Sequence, residues 1–248
     1  MEDLNARVII ITGAAGGIGS AAARALDARG ARLVLVDRSE EVLAPLAAGL
    51  AGEVMMLAAD VSSEDDMTRM AEATVARFGR IDGLITSAAI LRKGEGVRMI
   101  SQTSFDEWRS IIDVNLTGTF LANRAVLPAM LEQKQGDIVN LSSVSGRQGR
   151  AFDGPYSASK AGIIGLSESL SEEVARQGIR VQTVLPDAVD TGLWSQSGGV
   201  ALKPQAMLEP DRVAELLVYL LALPRDTYLL NPVIVPVPSR RRQAKQKS

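Results

Sequence analysis

The chain of 248 residues contains no histidine and no cysteine. Without histidine the commonest proton-transfer side chain is missing. Without cysteine there is no thiolate nucleophile and no disulfide framework, which agrees with a reducing, cytoplasmic setting. Acid–base chemistry then falls to carboxylates, lysine, tyrosine or bound water, and no metal site is expected. Aromatics are scarce, with four Phe, three Tyr and two Trp, which argues against an aromatic-lined pocket. Net charge is only −2, so no strong field draws the chain to nucleic acid. No apolar run approaches the roughly 20 residues that a membrane-spanning helix needs, so no membrane partner is expected. The opening MEDLNARVIII places acids before its apolar run, unlike a signal peptide.

The chain does have regular alternation. Apolar runs at 7–12, 32–36, 54–58, 81–86, 137–142, 179–185 and 233–237 read as strands. Most are nearly continuous rather than alternating, as expected of strands covered by helices on both faces. Helix-period segments lie between them, at 17–29, 40–50, 64–78, 104–132, 156–177 and 211–222. Strand–helix alternation predicts an α/β fold with a doubly wound, mainly parallel sheet of seven strands. No linker or repeat interrupts it, so residues 1–238 form one domain, followed by a basic tail, 239–248, expected to be disordered. The stretch 187–209 has no clear period and is a candidate lid or binding loop.

The first strand runs into TGAAGGIG, residues 12–19. Gly13 permits a tight turn, Gly17 a close approach of backbone to a pyrophosphate, and Gly19 close packing of the following helix on the sheet. The helix N-terminus then offers free N–H groups to the anion. A three-glycine pattern is weak alone, but here it follows a strand and opens a helix, the context a Rossmann-type dinucleotide site requires. The second strand ends at Asp37, 18 residues past Gly19. A carboxylate there can accept both adenosine ribose hydroxyls and would repel a 2′-phosphate, favouring NAD over NADP. Arg38 follows and can pair with that phosphate or stack on the adenine. Asp60 closes the third strand, where it can accept from an adenine amino group or cap the next helix.

Residues 156–160 read YSASK, a Tyr and a Lys about one helical turn apart on one face. Taken in order, TGAAGGIG, Asp60-Val61, Asn115 in DVNLTG, Ser143 in VNLSS and YSASK resemble the short-chain dehydrogenase/reductase family over about residues 5–225. The resemblance implies reversible hydride transfer between a nicotinamide and an alcohol or ketone, in a homodimer or homotetramer. It implies a catalytic set of Asn115, Ser143, Tyr156 and Lys160. The implied cofactor contacts are Gly13, Gly17, Ile18, Gly19, Asp37, Arg38, Asp60, Val61, Ser87, Ala88, Tyr156, Lys160, Pro186, Val189 and Thr191. Elementary chemistry supports the central roles. A phenol titrates near 10, and a neighbouring ammonium together with a positive nicotinamide favours the phenolate. Tyr156 can then take a proton from an alcohol and return it in reduction. Ser143 can hold the substrate oxygen, and Lys160 can also serve the nicotinamide ribose. By resemblance Asn115 holds a water that relays protons to Lys160; otherwise it is a polar residue bonding locally to backbone.

Three segments depart from the family pattern. Thr86-Ser87-Ala88-Ala89 stands where Asn-Asn-Ala-Gly is usual, and Ala89 adopts positive φ less cheaply than Gly. Pro186-Asp187 replaces Pro-Gly, bringing a carboxylate toward the nicotinamide position. NPVIVPVPSR replaces the C-terminal Asp-Gly-Gly, where the tetramer contact is usually made. The substrate is expected to be a small alcohol or ketone, with Gln148, Arg150, Phe152 and Trp194 as pocket candidates. Two alternatives stand beside an NAD-dependent dehydrogenase. One is an NADP-dependent reductase of carbonyls such as oxoacyl thioesters, supported by Arg38. The other is a regulator that senses NAD(H) without turnover, which would not need the intact Ser143, Tyr156 and Lys160.

Overall fold

The computed structural model describes residues 1–94, 96–197 and 204–237. Seven parallel strands, β1 (Val8–Thr12), β2 (Arg32–Asp37), β3 (Val54–Ala58), β4 (Gly83–Thr86), β5 (Gly136–Leu141), β6 (Ile179–Pro186) and β7 (Val233–Ile234), lie in the order β3-β2-β1-β4-β5-β6-β7. Every pairing is parallel, so the sheet is wholly rather than mainly so. The expected last strand, 233–237, shortens to two residues. Pro236, which has no N–H to donate to a ladder, follows it closely.

The strands alternate between two cores. Ile9 and Ile11 of β1 face a cluster that includes Leu26 of α1 (Gly17–Asp27), Leu43 of α2 (Glu40–Ala47) and Leu217 of α7 (Pro210–Leu221). Val8 and Ile10 face the other, with Met70 of α3 (Glu64–Phe78), Val126 of α5 (Gly118–Gln133) and Leu170 of α6 (Gly154–Val174). Burial on both faces explains why the strands read as continuous apolar runs.

The single helix expected over 104–132 is instead three segments. Helix α4 (Phe105–Ile112) passes through a π turn, Asp113–Thr117, into α5. The π turn contains Asn115, and such one-turn insertions are frequent at functional sites. Helix α6 begins at Gly154, two residues before Tyr156, with Pro155 in its first turn, where proline's missing N–H costs nothing.

Strand order reverses between β1 and β4, so the loops after these strands diverge and leave a crevice at their C-terminal ends. Among the described residues no helix is long and apolar enough to cross a membrane. The basic tail lies outside the described residues.

Candidate active site

A cleft of about 350 Å³ opens at this crevice, lined by segments following β1, β4, β5 and β6. It brings together Gly13, Gly17, Ile18, Gly19, Ser87, Ser143, Tyr156, Lys160, Pro186, Val189 and Thr191, all expected site residues. Arg150 and Trp194 also line it, whereas Phe152 lines a neighbouring pocket and Gln148 is exposed. Asp37, Arg38, Asp60, Val61, Ala88 and Asn115 do not line the cleft.

The glycine loop fits a pyrophosphate. Gly13 has φ +65, and a Cβ there would stand 2.6 Å from the Ala88 backbone. A Cβ on Gly19 would stand 2.2 Å from the Gly13 carbonyl oxygen. The backbone is therefore pressed against its neighbours at both positions. The N-cap of α1 is Gly16, with no side-chain cap, so the first-turn N–H groups are left for an anion at the cleft. At the end of β2, Asp37 accepts from Ala15 N at 3.0 Å and from its neighbour Arg38 N at 2.9 Å, which fixes the carboxylate beside the loop. Asp60 accepts from Ser62 N at 2.9 Å and Ser62 Oγ at 2.6 Å, while Ser63 caps α3. Ser63, not Asp60, is therefore the cap of α3, and the Asp60 carboxylate is held by Ser62 in the turn before it. Val61 packs on Gly118 at the start of α5. Ala89 avoids the expected strain, since it is not among the residues with positive φ.

At the other end of the cleft, Ser143 lies two residues past β5 in an extended conformation, with its Oγ accepting from Ser145 N at 3.1 Å. The Ser143 hydroxyl also acts on the Tyr156 phenol in the direction of the phenolate. Burial outweighs that help and pushes the phenol up to about 12; Asp153 adds to the rise, and the Arg150 charge opposes it. Lys160 behaves differently from the expectation of an ammonium that lowers the phenol. Its Nζ donates to the Leu141 carbonyl at 2.8 Å and lies 5.6 Å from the Tyr156 ring centroid. Burial pushes it down to about 7. Ser143 and the Arg150 charge thus oppose the rise that burial imposes on the phenol.

Asn115 is fully buried, and its side chain is saturated. Nδ2 donates to Ile90 O at 2.9 Å and Ser159 Oγ at 3.1 Å, while Oδ1 accepts from Ile90 N at 2.8 Å. The amide thus staples the loop after β4 to the helix carrying Tyr156. Its backbone carbonyl accepts from Thr119 Oγ1 at 2.7 Å.

Sequence reasoning missed the ion pairs of the cleft. Arg92 is paired with Asp153, and also donates to Phe152 O at 2.6 Å. Arg150 is paired with Asp187. It also missed Gln196, which accepts from Leu91 N at 2.8 Å and ties the loop after β6 to the loop after β4. Nothing local signals these contacts. The expected lid, 187–209, contains a 3₁₀ helix, Gly192–Ser197, and a bridge between Val189 and Leu208; 198–203 lie outside the described residues.

Comparisons with known proteins agree with this architecture. A family model described as short chain dehydrogenase matches residues 7–199. An uncharacterized oxidoreductase of Staphylococcus saprophyticus is 33% identical over 241 residues, covering 96% of this chain and all of that protein. A 3-oxoacyl-[acyl-carrier-protein] reductase of Synechocystis is 34% identical over 238 residues, 92% of this chain and 94% of that one. Levodione reductase superposes with a TM-score of 0.84 at 31% identity, over 97% of this chain and 99% of that one. NAD+-bound xylitol dehydrogenase superposes with a TM-score of 0.85 at 25% identity, over 94% and 99%. With the family model spanning most of the chain and the sheet, glycine loop and cleft arranged as described, this chain belongs to the short-chain dehydrogenases, a family of oxidoreductases.

Proposed function

We propose that the chain interconverts a secondary alcohol and its ketone with NAD(H), using Tyr156 as the acid–base group. The observation that carries this reading is that Ser143, Tyr156 and Lys160 line the same cleft as the glycine loop. Gly13, Gly17, Ile18 and Gly19 would hold the pyrophosphate, Asp37 the adenosine ribose, and Pro186, Val189 and Thr191 the nicotinamide end. The nicotinamide accepts or supplies the hydride when bound. The protein's own part is proton management and orientation. Ser143 would donate its one hydroxyl proton to the oxygen at the reacting carbon, while its Oγ accepts from Ser145 N. Tyr156 Oη accepts the alcohol proton in oxidation and returns it in reduction. Lys160, anchored on Leu141 O with its Nζ 5.6 Å from the Tyr156 ring centroid, would serve the nicotinamide ribose. The Asn115 carbonyl is the proposed end of a water relay from Lys160, while its side chain holds the surrounding loops in place.

The NAD preference rests on Asp37. A 2′-phosphate brought beside that carboxylate would meet a like charge in a partly desolvated setting. Titration calorimetry should therefore give tighter NAD than NADP binding, and Asp37→Ala should narrow or reverse the order. Tighter NADP binding by the unsubstituted protein would refute the assignment and favour the carbonyl-reductase alternative, with Arg38 as the phosphate partner.

A further inference from the structure

Two arginine–aspartate pairs flank the reacting end of the cleft, and they differ in kind. Arg92–Asp153 is nearly sealed, with side-chain exposures of 7% and 13%, and Arg92 also holds the Phe152 carbonyl. It fixes the entry to α6 and has no room to exchange partners. Arg150–Asp187 is open, with exposures of 37% and 25%, and both residues line the cleft. Arg150 comes from the β5–α6 loop and Asp187 from the first position after β6, so the pair spans the cleft between its two walls. Arg150 also lines the neighbouring pocket of about 280 Å³, with Met99, Ile100 and Phe152. Arg150 therefore stands at the junction of the reacting cleft and an outer space that Met99, Ile100 and Phe152 share with Arg98 and Thr103; Arg98 is paired there with Glu107.

We propose that Arg150 is the specificity-determining residue of this cleft and reads a carboxylate on the substrate, so that the preferred substrates are hydroxy acids and the matching oxo acids. This rests on the hydride-transfer reading above. In the structure the carboxylate of Asp187 occupies the place that a substrate carboxylate would take. Exchange of one carboxylate for another breaks one ion pair and makes one of the same chemistry. For a pair this accessible, the energy of opening is small. Guanidinium suits the task because its planar fork matches a carboxylate with two parallel hydrogen bonds. Lys160 cannot serve instead, because it is buried and committed to the Leu141 carbonyl. The displaced Asp187 is already part-exposed and returns to water. Arg150 and Tyr156 line the same cleft, so a carboxylate bound at Arg150 shares that space with a hydroxyl held at the phenol.

The test compares pairs that differ only in charge: 2-, 3- and 4-hydroxy acids of three to six carbons and their methyl esters, with NAD at saturation. For the best-turned-over pair, the ratio of kcat/KM for acid over ester is expected to exceed one. Arg150→Gln should lower that ratio about 10- to 100-fold, the span for a lost charge-assisted hydrogen bond, and Arg150→Lys should restore part of it. Using the ratio cancels any shared effect of Arg150 on the phenol. Asp187→Asn should raise the ratio through a lower KM for the acid. The double variant should stay as low as Arg150→Gln/Asp187 intact predicts from lost attraction alone, within a few-fold. Should the ratio be unchanged by Arg150→Gln, or be below one in the unsubstituted protein, the proposal is overturned. If no alcohol is oxidised with either cofactor, the hydride-transfer reading fails first. Binding of the same acids to the protein–NAD complex by calorimetry then decides on Arg150 alone, since loss of acid binding in Arg150→Gln sustains the carboxylate site and its retention removes it.

Discussion

Lys160 is 3% exposed and donates to Leu141 O, so its ammonium is stripped of water and given one carbonyl in return. Desolvation is why it titrates near 7 in the fold, against 10.5 for an ordinary lysine. The unfolded chain keeps that proton up to about pH 10.5, while the folded chain has released it above about 7. Unfolding within this window takes up a proton, so the contribution of Lys160 to stability is full above the upper limit and is lost as pH falls toward the lower one. Urea unfolding of the protein and of Lys160→Met at pH 7.5 and 9.5 should show the unsubstituted protein gaining on the variant as pH rises, by at most about 1.4 kcal/mol per pH unit. Parallel changes in the two proteins would contradict the assignment. The proximity of Tyr156 and Lys160 was legible because spacing by four places both on one helix face. Their electrostatics were not, because the Lys160 partner is a carbonyl 19 positions away and the phenol's helper, Arg150, is on a loop.

Among the elements, the start of α6 carries most of the chemistry. Phe152 precedes it with φ +68, a left-handed conformation that an aromatic residue adopts only at a cost. Arg92, reaching from 61 positions upstream, holds the Phe152 carbonyl and the Asp153 carboxylate together and so offsets that cost. Removing the guanidinium would leave Asp153 mostly buried and without its partner. Arg92→Leu should therefore destabilise the protein by about 3–5 kcal/mol, read as a lower urea midpoint. A loss below about 0.5 kcal/mol would show that the pair does not secure the turn. The strands were readable from their apolar runs, since each is covered on both faces. The π turn at Asp113–Thr117 was not, because DVNLT has the same helix period as its flanks and only the stapling of Asn115 to Ile90 and Ser159 marks the extra residue.

For the whole molecule, the doubly wound order and the crevice at its reversal follow from alternation of strand and helix, and the sequence carried that much without tertiary information. It did not carry which loops meet across the crevice. Arg150 and Asp187 are 37 positions apart, in segments with no regular period. Outside the cleft, α4 and α5 leave Phe105, Trp108, Phe120 and Leu131 at 73%, 37%, 41% and 41% exposure. Apolar faces of this size on adjacent helices favour pairing across a two-fold axis. Light scattering at micromolar concentration is expected to give a dimer or larger, and a monomer would oppose this.

The central claim is that the Tyr156 phenol moves the proton, and Tyr156→Phe tests it most directly. The substitution removes one oxygen and keeps the buried ring, so the fold and cofactor binding should persist. With the cofactor affinity measured in the same preparation, kcat should fall about 10²- to 10⁴-fold. A folded Tyr156→Phe protein that binds cofactor normally and keeps near-normal turnover would contradict the account.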